Sequence, residues 1–536
     1  MKTLQFDYVV VGGGSGGCVV ASRLAAESGG TVALVERGRT DSNRWIHIPA
    51  TFFKALQSED AEAVVSEPDE SLDGLPFTVP QARVLGGGSS VNGMIYMRGQ
   101  VQDYDDWASM YGCDGWSYKD VLPVFKRQEA NKQFDNEYHG CRGRLVVDGP
   151  ATPHPVSQMI IDAAVSCGIP RNDDFNGATQ EGAGWYQVTA SDGERQSAVG
   201  CFLKPELYRE NLSLLTEHSA VQIRFSQRRA VAVDTVVADG SQCRIQANKE
   251  IILTAGSFQT PKLLMLSGVG PADELKRHNI AMVHESNEVG RNYQDHVGTP
   301  VTRYLKKPMG LHGADKGLKA LKHGANYFLL RRGLLNSNLL DAGACVDTTG
   351  HGRPDVQFNF APFAPGPPGT PPLNCHAMQI HPMTMRPASR GRLGLKSANP
   401  GDAPRFDSST LAHAEDMDVL RRGVRLAREI FSMLDIEDIS GEEIWPGADV
   451  SSNVGSNALD DAIRSQARTI YHPAGTCRMG PSDSDVVDLQ LRVRGVTGLR
   501  IADCSVMPVL VSGNTNAPTM MIADRAADFV IADSGG

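Results

Sequence analysis

The first 38 residues carry a pattern that few folds accommodate. The stretch FDYVVVGGGSGGCVVASRLAAESGGTVALVERG, residues 6–38, predicts a strand over 8–11, a glycine-rich turn, a helix and a second strand over 31–35. The β-branched run before the glycines is typical of a buried parallel strand. The stretch therefore predicts a β-α-β unit in a mostly parallel sheet.

The turn of this unit has the spacing of a dinucleotide site. Gly12, Gly14 and Gly17 form GxGxxG, and Glu36 ends the second strand. The first glycine permits a tight turn, the second admits a pyrophosphate to the backbone, and the third lets helix and strand pack closely. The helix N-terminus favours phosphates, and Glu36 can accept hydrogen bonds from a ribose while repelling a 2′-phosphate. The motif disfavours NADP, but by itself it does not separate FAD from NAD.

Bulk properties exclude several protein classes. A chain of 536 residues is long enough for two or more domains, and a net charge of -10 argues against a nucleic-acid partner. No apolar run reaches the length of a transmembrane helix, and no signal peptide is evident. The ten cysteines form no CxxC pair, which favours a reducing cytoplasm over a disulfide scaffold. Peripheral attachment to a membrane stays compatible with the sequence.

Two later segments are also rich in glycine. ARVLGGGSSVNGMIYMRG, residues 82–99, has three consecutive glycines followed by residues that cap helices. Such a loop either wraps a large planar ligand or is mobile, and the residues alone do not choose. GSFQTPKLLMLSGVG, residues 256–270, predicts a helix with Thr260 as its N-cap and Pro261 as its first helical residue.

The stretch YHPAGTCRMG, residues 471–480, raises three hypotheses for His472. It could be a core residue, a metal ligand or a catalytic base. No second cluster of histidines and cysteines completes a tetrahedral metal set, so the sequence predicts no metal site. A neutral imidazole near pH 7 suits a general base.

These segments together resemble the glucose–methanol–choline (GMC) oxidoreductases, flavoproteins that oxidise alcohols. VGRNYQDH at 289–296, HPAGTCRMG at 472–480 and GLRIADCSVMPVLVSGNTNAPTMMIADRAADFV at 498–530 are similar to further blocks of that family. The motifs follow the family's order from residue 6 to about residue 530. Within the family, the chain looks most similar to bacterial FAD-dependent alcohol, choline and sorbose dehydrogenases.

The resemblance implies an α/β fold: a Rossmann-like FAD-binding domain with a discontinuous substrate-binding domain built on an antiparallel sheet. It implies that residues 1–155, 200–300 and 455–536 form the FAD-binding domain. Residues 156–199 and 301–454 would form the substrate-binding domain.

The resemblance also implies FAD rather than NAD. Val91 stands where some members carry a flavin-linked histidine, so FAD is expected to bind non-covalently. The residues expected to contact FAD are Gly12, Gly14, Ser15, Gly17, Glu36, Arg83, Gly87, Gly88, Asn92, Gly93, Met94, Val221, Asp503, Asn514, Thr515 and Asn516.

For catalysis, the resemblance implies that His472 takes the hydroxyl proton while a hydride moves to flavin N5. Asn514 would hold the substrate oxygen, with Asn516 as the alternative register. The expected activity is an alcohol dehydrogenase that passes electrons to a quinone or another non-oxygen acceptor. An alcohol oxidase that uses O2 and releases H2O2, a non-redox hydroxynitrile lyase and an inactive FAD-binding protein are the alternatives.

The sequence says less about the substrate than about the cofactor. A choline site needs an aromatic cage, and at 6% aromatic residues no segment predicts one; Trp185, Tyr186, Phe358 and Phe360 are the available candidates. A primary alcohol or a polyol-like alcohol is therefore expected rather than choline. PDVQFNF, residues 354–360, predicts a strand with alternating apolar and polar faces, and the Pro/Gly-rich residues 361–374 predict a loop.

Overall fold

The computed structural model describes residues 1–366, 373–436, 438–450 and 457–534. The strands, in chain order, are β1 Lys2–Val11, β2 Val32–Val35, β3 Ala61–Pro68, β4 Pro76–Ala82, β5 Glu129–Asn131, β6 Leu145–Val147, β7 Gly182–Trp185, β8 Ala190–Ser191, β9 Glu194–Arg195, β10 Leu212–Leu215, β11 His218–Ser226, β12 Arg229–Val237, β13 Gln242–Leu253, β14 Val269–Gly270, β15 His284–Glu285, β16 Val297–Gly298, β17 Val301–Leu305, β18 Ala342–Val346, β19 Val356–Ala361, β20 Ala377–Thr384, β21 Arg392–Leu395, β22 Pro404–Asp407, β23 Ser440–Trp445, β24 Arg468–Thr469 and β25 Leu499–Ile501.

The α-helices are α1 Ser15–Glu27, α2 Arg44–His47, α3 Phe52–Leu56, α4 Gly88–Val91, α5 Val101–Ser109, α6 Tyr118–Gln128, α7 Pro155–Ser166, α8 Gly256–Leu266, α9 Ala272–Arg277, α10 Gly317–Leu330, α11 Ala414–Ile436, α12 Asn457–Gln466 and α13 Asn516–Ser534. Short 3-10 turns cover Pro49–Thr51, Glu70–Leu72, Lys204–Glu206, Leu334–Asn336 and Cys504–Val506, and a π-helical turn covers Val199–Leu203. No helix in the described part of the chain is long and apolar enough to cross a bilayer.

The predicted β-α-β unit forms the centre of a seven-stranded sheet. The strand order is β10-β2-β1-β13-β12-β11, and β25 also pairs with β13. The pairs β10–β2, β2–β1, β1–β13 and β13–β25 are parallel. Helix α1 packs over them with a face of buried small and apolar residues, as a crossover helix does. The α/β class and the Rossmann-like arrangement are confirmed.

The register of this sheet gathers four strand ends at one edge. Val11 lies opposite both Val35 and Leu253, and Leu253 lies opposite Ile501. Because these strands are parallel, the residues that follow them leave the sheet side by side. The glycine turn, Glu36, Thr254 and Asp503 therefore meet although they are up to 491 positions apart in the sequence.

The second large sheet is antiparallel, in the order β23-β17-β20-β19-β18-β7; β16 also pairs with β20, and β24 pairs with β16. Its apolar face, including Val356, Phe358 and Phe360, packs into a core with α7 and α11. The predicted alternation in β19 is confirmed. Residues 361–366 contain no helix, while residues 367–372 of the predicted loop lie outside the described residues.

The predicted start of helix α8 is wrong by several residues. The helix begins at Gly256, so Thr260 and Pro261 lie in its interior. A proline there cannot donate to the carbonyl of Ser257, one turn earlier. The hydroxyl of Thr476 donates to that carbonyl (2.7 Å) and replaces the missing bond. Sequence spacing does not reveal this compensation, because Thr476 lies 219 positions away.

Candidate active site

A cavity of about 880 Å³ lies between the carboxyl edge of the first sheet and the polar face of the second. Of the residues predicted to contact FAD or to act in catalysis, all except Gly17 line it. Gly17 packs against the glycine turn instead, since a Cβ there would lie 1.9 Å from the carbonyl oxygen of Gly12. That contact agrees with the packing role expected of the third glycine.

The glycine turn leaves one side of the backbone open to the cavity. Gly12 has φ +107°, and a Cβ on it would lie 2.5 Å from the carbonyl oxygen of Thr254. A Cβ on Gly14 would meet nothing closer than 3.8 Å. Helix α1 begins directly after, at Ser15, without a side-chain cap. Its free N–H groups and dipole therefore face the cavity, as an anionic pyrophosphate requires.

Glu36 lies at the end of β2 beside this turn. Its carboxylate accepts hydrogen bonds from the N–H groups of Gly13 (2.7 Å) and Gly38 (2.6 Å). Burial nevertheless raises the pKa of Glu36, because desolvation outweighs those bonds. These two bonds hold the side chain at the wall of the cavity.

A second glycine loop closes on the first. Gly87 has φ +51°, and a Cβ on it would lie 2.7 Å from the Cα of Gly14. The hydroxyl of Ser15 accepts a hydrogen bond from the N–H of Ser89 (3.2 Å). The loop at 86–88 is thus packed against the first turn, and of the two hypotheses for it the structure favours the ligand-wrapping one.

Asn92, at the end of α4, is positioned by a residue that the sequence analysis missed. Arg195 Nη1 donates to Asn92 Oδ1 (2.6 Å) and to the carbonyl of Ser89 (3.2 Å), and its Nε donates to the carbonyl of Ile46 (2.7 Å). Burial lowers the pKa of Arg195 to about 9. No motif contains Arg195, so only its tertiary position identifies it.

Asp503 continues the wall of the cavity at the start of α8. It accepts hydrogen bonds from the N–H of Gly256 (2.8 Å) and the hydroxyl of Thr260 (2.7 Å). Burial raises the pKa of this carboxyl. Asp503 thereby ties the C-terminal block to the helix that follows β13.

His472 lies at the other end of the cavity, in contact with a second histidine. Its Nδ1 is 2.8 Å from Nδ1 of His296, and the two rings are nearly perpendicular. His296 Nε2 is 3.0 Å from the carbonyl oxygen of Met385. A carbonyl only accepts, so His296 carries its proton on Nε2 and its Nδ1 is an acceptor. His472 therefore carries its proton on Nδ1.

This chain of hydrogen bonds leaves the lone pair of His472 on Nε2. The Nδ2 group of Asn514 lies 3.2 Å from it, and Gln357 Nε2 lies 3.4 Å from Asn514 Oδ1. Burial and the neighbouring His296 hold the pKa of His472 well below its usual value. Burial also lowers the pKa of His296, to about 4. Both rings are neutral at pH 7, and the lone pair that a general base needs faces Asn514.

Hydrogen bonds to Asp295 hold the backbone around His472. Asp295 accepts hydrogen bonds from the N–H of His472 (2.9 Å) and the hydroxyl of Thr469 (2.5 Å). Tyr471, the preceding residue, has φ +68°, a strained value for a residue with a bulky side chain. Burial raises the pKa of Asp295 to about 7. Asp295 and His296 both belong to the QDH stretch that the sequence analysis used only to recognise the family.

The polar face of the second sheet forms the wall opposite. Asn359 lies opposite His381 on the neighbouring strand, and Ala361 lies opposite Gln379, so all four share one face and line the cavity. Asn359 Oδ1 and His381 Nε2 are buried and have no hydrogen-bond partner among the described residues. Two unsatisfied groups at one wall indicate a surface built to meet a polar ligand.

Arg468 is the charged group at this end. It lines the cavity, and its Nε is buried without an acceptor in the described part of the chain. The carboxylates that line the cavity are engaged with other protein groups. Glu36 and Asp503 contact the glycine turn and α8, Glu62 pairs with Arg37, and Asp402 accepts from Ser397.

The aromatic residues near the cavity are not those suggested by sequence. Phe358 lies in the core, and the hydroxyl of Tyr186 donates to its carbonyl. None of Trp185, Tyr186, Phe358 and Phe360 lines the cavity. Phe52, Phe53 and Phe363 do, with ring centroids 3.9 Å and 5.7 Å apart along the series. The sequence named these four only as available candidates, and for Phe358 and Phe360 the strand alternation did not say which face of β19 meets the cavity.

The geometry fits FAD. Tight glycine turns at one end leave room for a pyrophosphate, and the buried carboxylate of Glu36 beside them can accept hydrogen bonds from ribose hydroxyls. The cavity then runs without interruption past Asn92 and Met94 to His472. In the described residues, no group of three His, Cys, Asp or Glu side chains could hold a metal ion.

Comparisons with known proteins agree with this geometry. The N-terminal model of the GMC oxidoreductases matches residues 6–298, and the C-terminal model matches residues 387–523. An alcohol dehydrogenase (acceptor) of Pseudomonas putida is 39% identical over 98% of this chain and 96% of that protein. Mitochondrial choline dehydrogenase of Homo sapiens is 38% identical over 98% of this chain and 90% of that protein.

Among solved structures, pyridoxine 4-oxidase from Mesorbium loti superposes with a TM-score of 0.88. The two sequences are 27% identical, and the match covers 97% of this chain and 98% of that chain. Both family models match in the order that the motifs predict, and together with these relatives they cover most of the sequence. The chain belongs to the GMC oxidoreductase family and is an FAD-dependent flavoenzyme.

Proposed function

We propose that this protein oxidises an alcohol to an aldehyde or ketone, with His472 as the general base. The observation that carries the proposal is the hydrogen-bond chain from Met385 through His296 to His472. It supports a lone pair on His472 Nε2, 3.2 Å from the amide nitrogen of Asn514. Bound FAD supplies the acceptor for the hydride that leaves the carbinol carbon.

The pair His472 and Asn514 suits one hydroxyl group. Such a group donates its proton to His472 Nε2 and accepts a hydrogen bond from Asn514 Nδ2. Removal of the proton by His472 avoids a free alkoxide, and general base catalysis of this kind contributes about 10²–10⁴-fold. Gln357 holds Asn514 Oδ1, which keeps the Nδ2 group directed at the substrate oxygen.

The FAD contacts follow from the two glycine turns. Gly12, Gly14 and Ser15 would hold the pyrophosphate, and Glu36 the adenosine ribose. Val221 would lie at the adenine. Arg83, Gly87 and Gly88 would line the pyrophosphate and ribityl side, and Asp503 would lie along the ribityl chain. Around the flavin ring we assign Asn92, Gly93, Met94, Asn514, Thr515 and Asn516, which also line the cavity.

We propose that this FAD is non-covalent. Val91 lines the cavity with a side chain that offers no nucleophile. Denaturation in acid should release all of the flavin into the supernatant. Flavin that stays with the precipitated chain would contradict the proposal.

For the substrate, we propose an uncharged primary or polyol-like alcohol rather than choline. A carboxylate that lines the cavity would balance a quaternary ammonium, but Arg468 brings a positive charge to the catalytic end of the cavity. Like charges in a poorly solvated pocket repel, so Arg468 disfavours a quaternary ammonium. The human choline dehydrogenase is a relative, so this distinction needs a direct test.

For the acceptor, we propose a quinone or another non-oxygen acceptor. The support is the Pseudomonas putida relative, which is an alcohol dehydrogenase (acceptor). After anaerobic reduction, admission of air should restore the flavin colour slowly. Rapid recovery with stoichiometric H2O2 would identify an oxidase instead.

The central experiment mixes the holoenzyme anaerobically with aliphatic, aromatic and polyol alcohols and with choline, and follows the flavin absorbance. We expect bleaching with at least one uncharged alcohol. His472→Ala should keep its FAD and reduce it at least about 100-fold more slowly. His413→Ala, which changes an exposed histidine, is the control. Normal bleaching in the His472 variant would overturn the proposed base, and the absence of bleaching with every alcohol would overturn the proposed reaction.

A further inference from the structure

Helix α10 presents an apolar stripe to the solvent. Tyr327 is its buried residue and donates from its hydroxyl to the carbonyl of Gly193 (2.6 Å). The large apolar side chains point the other way: Leu318 is 84% exposed, Leu321 69%, Phe328 65% and Leu329 79%. Spacings of three, seven and eleven residues put these four on one side of a helix.

This arrangement is the reverse of an ordinary surface helix, which turns its apolar side inward. Helix α10 packs mainly against the short turn Leu334–Asn336. A helix of 14 residues gains little stability without packing of its apolar side. Contiguous exposed apolar surface marks an interaction site. The stripe therefore calls for something apolar to cover it.

The charges around the stripe indicate what covers it. Lys316, Lys319 and Lys322 lie exposed on and beside the helix, and Arg331 and Arg332 follow its last turn. Between residues 316 and 340 the sequence has no acidic residue, although the whole chain has a net charge of -10. Asp315 precedes the helix, and Glu194 pairs with Arg331 (3.2 Å). The surface is locally basic on an acidic protein.

We propose that α10 binds the surface of an anionic lipid bilayer. Lys and Arg beside an apolar stripe are the composition of helices that lie in the bilayer interface. At about 1.5 Å per residue the helix is about 21 Å long, too short to cross the hydrocarbon core of about 30 Å. It lies in the interface plane, with the leucines and Phe328 among the acyl chains and the lysines at the phosphates.

This surface adjoins the cavity. The turn Leu334–Asn336 contacts the turn Pro49–Thr51, which leads directly into the cavity-lining phenylalanines of α3. Asn338 donates to the carbonyl of Gly93 (2.9 Å), and Leu340 lines the cavity. Docking through α10 therefore brings the catalytic end of the molecule close to molecules dissolved in the bilayer.

The test is flotation of the holoenzyme with vesicles of phosphatidylethanolamine and phosphatidylglycerol (3:1) and with vesicles of phosphatidylcholine alone. We expect binding to the anionic vesicles, weaker binding to phosphatidylcholine, and loss of binding as salt rises. Leu321→Glu/Phe328→Glu should weaken partitioning at least about ten-fold. Met110→Glu/Tyr208→Glu, at sites that are 72% and 76% exposed, should bind as the unchanged protein does.

A second pair of variants tests the contribution of the positive charges. Lys316→Gln/Lys319→Gln/Lys322→Gln neutralises the three lysines on and beside α10. The control, Lys2→Gln/Lys119→Gln/Lys396→Gln, neutralises three exposed lysines elsewhere. The first set should lower binding to anionic vesicles, and the second should not. Rates of flavin reduction by a water-soluble alcohol should stay unchanged in every variant, which shows that the fold is intact. Equal binding by all variants, or no binding by the unchanged protein, would overturn the proposal. A dimer in light scattering that Leu321→Glu/Phe328→Glu dissolves would instead assign the stripe to a second copy of this chain.

Discussion

At the scale of single residues, the protonation of His472 is set by groups outside the motif that contains it. The carbonyl of Met385 orients His296, and His296 orients His472. A histidine held by a carboxylate at Nδ1 would become a stronger base and charge more readily. Here a neutral imidazole takes that place, so His472 keeps its tautomer without becoming charged.

Replacement of His296 by Phe should slow catalysis while preserving FAD. The Nδ1–H of His472 would lose its acceptor, and one buried hydrogen bond is worth about 1–1.5 kcal/mol, so flavin reduction should slow by about ten-fold. His351→Phe, at an exposed site, is the matched control. Rapid mixing under anaerobic conditions measures the rate; a variant with an unchanged rate and unchanged pH profile would show that His296 does not position the base.

The pH dependence follows from the lowered pKa of His472. The neutral form is the active one, so activity is lost only as pH falls through that pKa, which lies well below 6.5. The rate of flavin reduction should therefore stay level from about pH 6.5 upward. An acid limb centred at pH 7 or above would contradict this expectation. Asp295 has a pKa of about 7. If its titration contributes to the pH profile, Asp295→Asn should remove that contribution.

His472 and Asn514 were predictable because each lies in a contiguous motif whose spacing is set locally. Their contact could not be read from the chain, since 42 residues separate them. Arg195 and Arg468 were not identified at all. Isolated arginines in ordinary contexts carry no pattern, and only burial without a counter-ion separates Arg468 from the many arginines of the surface.

At the scale of elements, the two glycine turns act as one unit. Each has left-handed glycines, and a Cβ on Gly87 would lie 2.7 Å from the Cα of Gly14. A side chain at Gly87 therefore moves the turn that the pyrophosphate needs. The same φ occurs at other glycines of the chain where no neighbour is near.

This difference gives a matched pair of substitutions. Gly87→Ala should lower FAD affinity at least about ten-fold, because the new Cβ meets backbone that cannot yield. Gly74→Ala is the control: it has φ +80° and nothing within 4 Å of the new Cβ, so it should cost about 1 kcal/mol of stability and no FAD. Flavin content per chain after gel filtration measures the effect, and equal flavin content in the two variants would contradict the packing argument.

Strand β19 shows the limit of periodicity. Its alternation correctly separated Val356, Phe358 and Phe360 from Gln357 and Asn359. A period of two fixes which residues share a face, but not what lies opposite that face. The apolar face meets α11 and the polar face meets the cavity, and this choice depends on helices more than 50 residues further along the chain.

At the scale of the whole molecule, the cavity has walls from both large sheets. Residues 1–155, 200–300 and 455–536 remain our proposal for the FAD-binding domain, and 156–199 and 301–454 for the substrate-binding domain. Because FAD would contact one sheet and face the other, its binding energy should stabilise both together.

Removal of FAD should therefore lower the temperature of unfolding of the entire chain. At a FAD concentration about 1,000 times its dissociation constant, ligand binding adds about 4 kcal/mol, which corresponds to roughly 4 °C for a chain of this length. Calorimetry of the holoprotein and of the deflavinated protein measures the shift. Two separate transitions, only one of which moves with FAD, would show that the sheets unfold independently.

The sequence by itself determined the family, the dinucleotide turn, the sheet class and the motifs that carry His472 and Asn514, because these depend on spacings within a few residues. The tertiary structure alone decided the tautomer of His472, the cation at Arg468, the face of β19 that meets the cavity and the outward stripe of α10. Each of these depends on a group that the chain brings from far away, and a burial or a hydrogen bond between distant residues leaves no mark in local sequence.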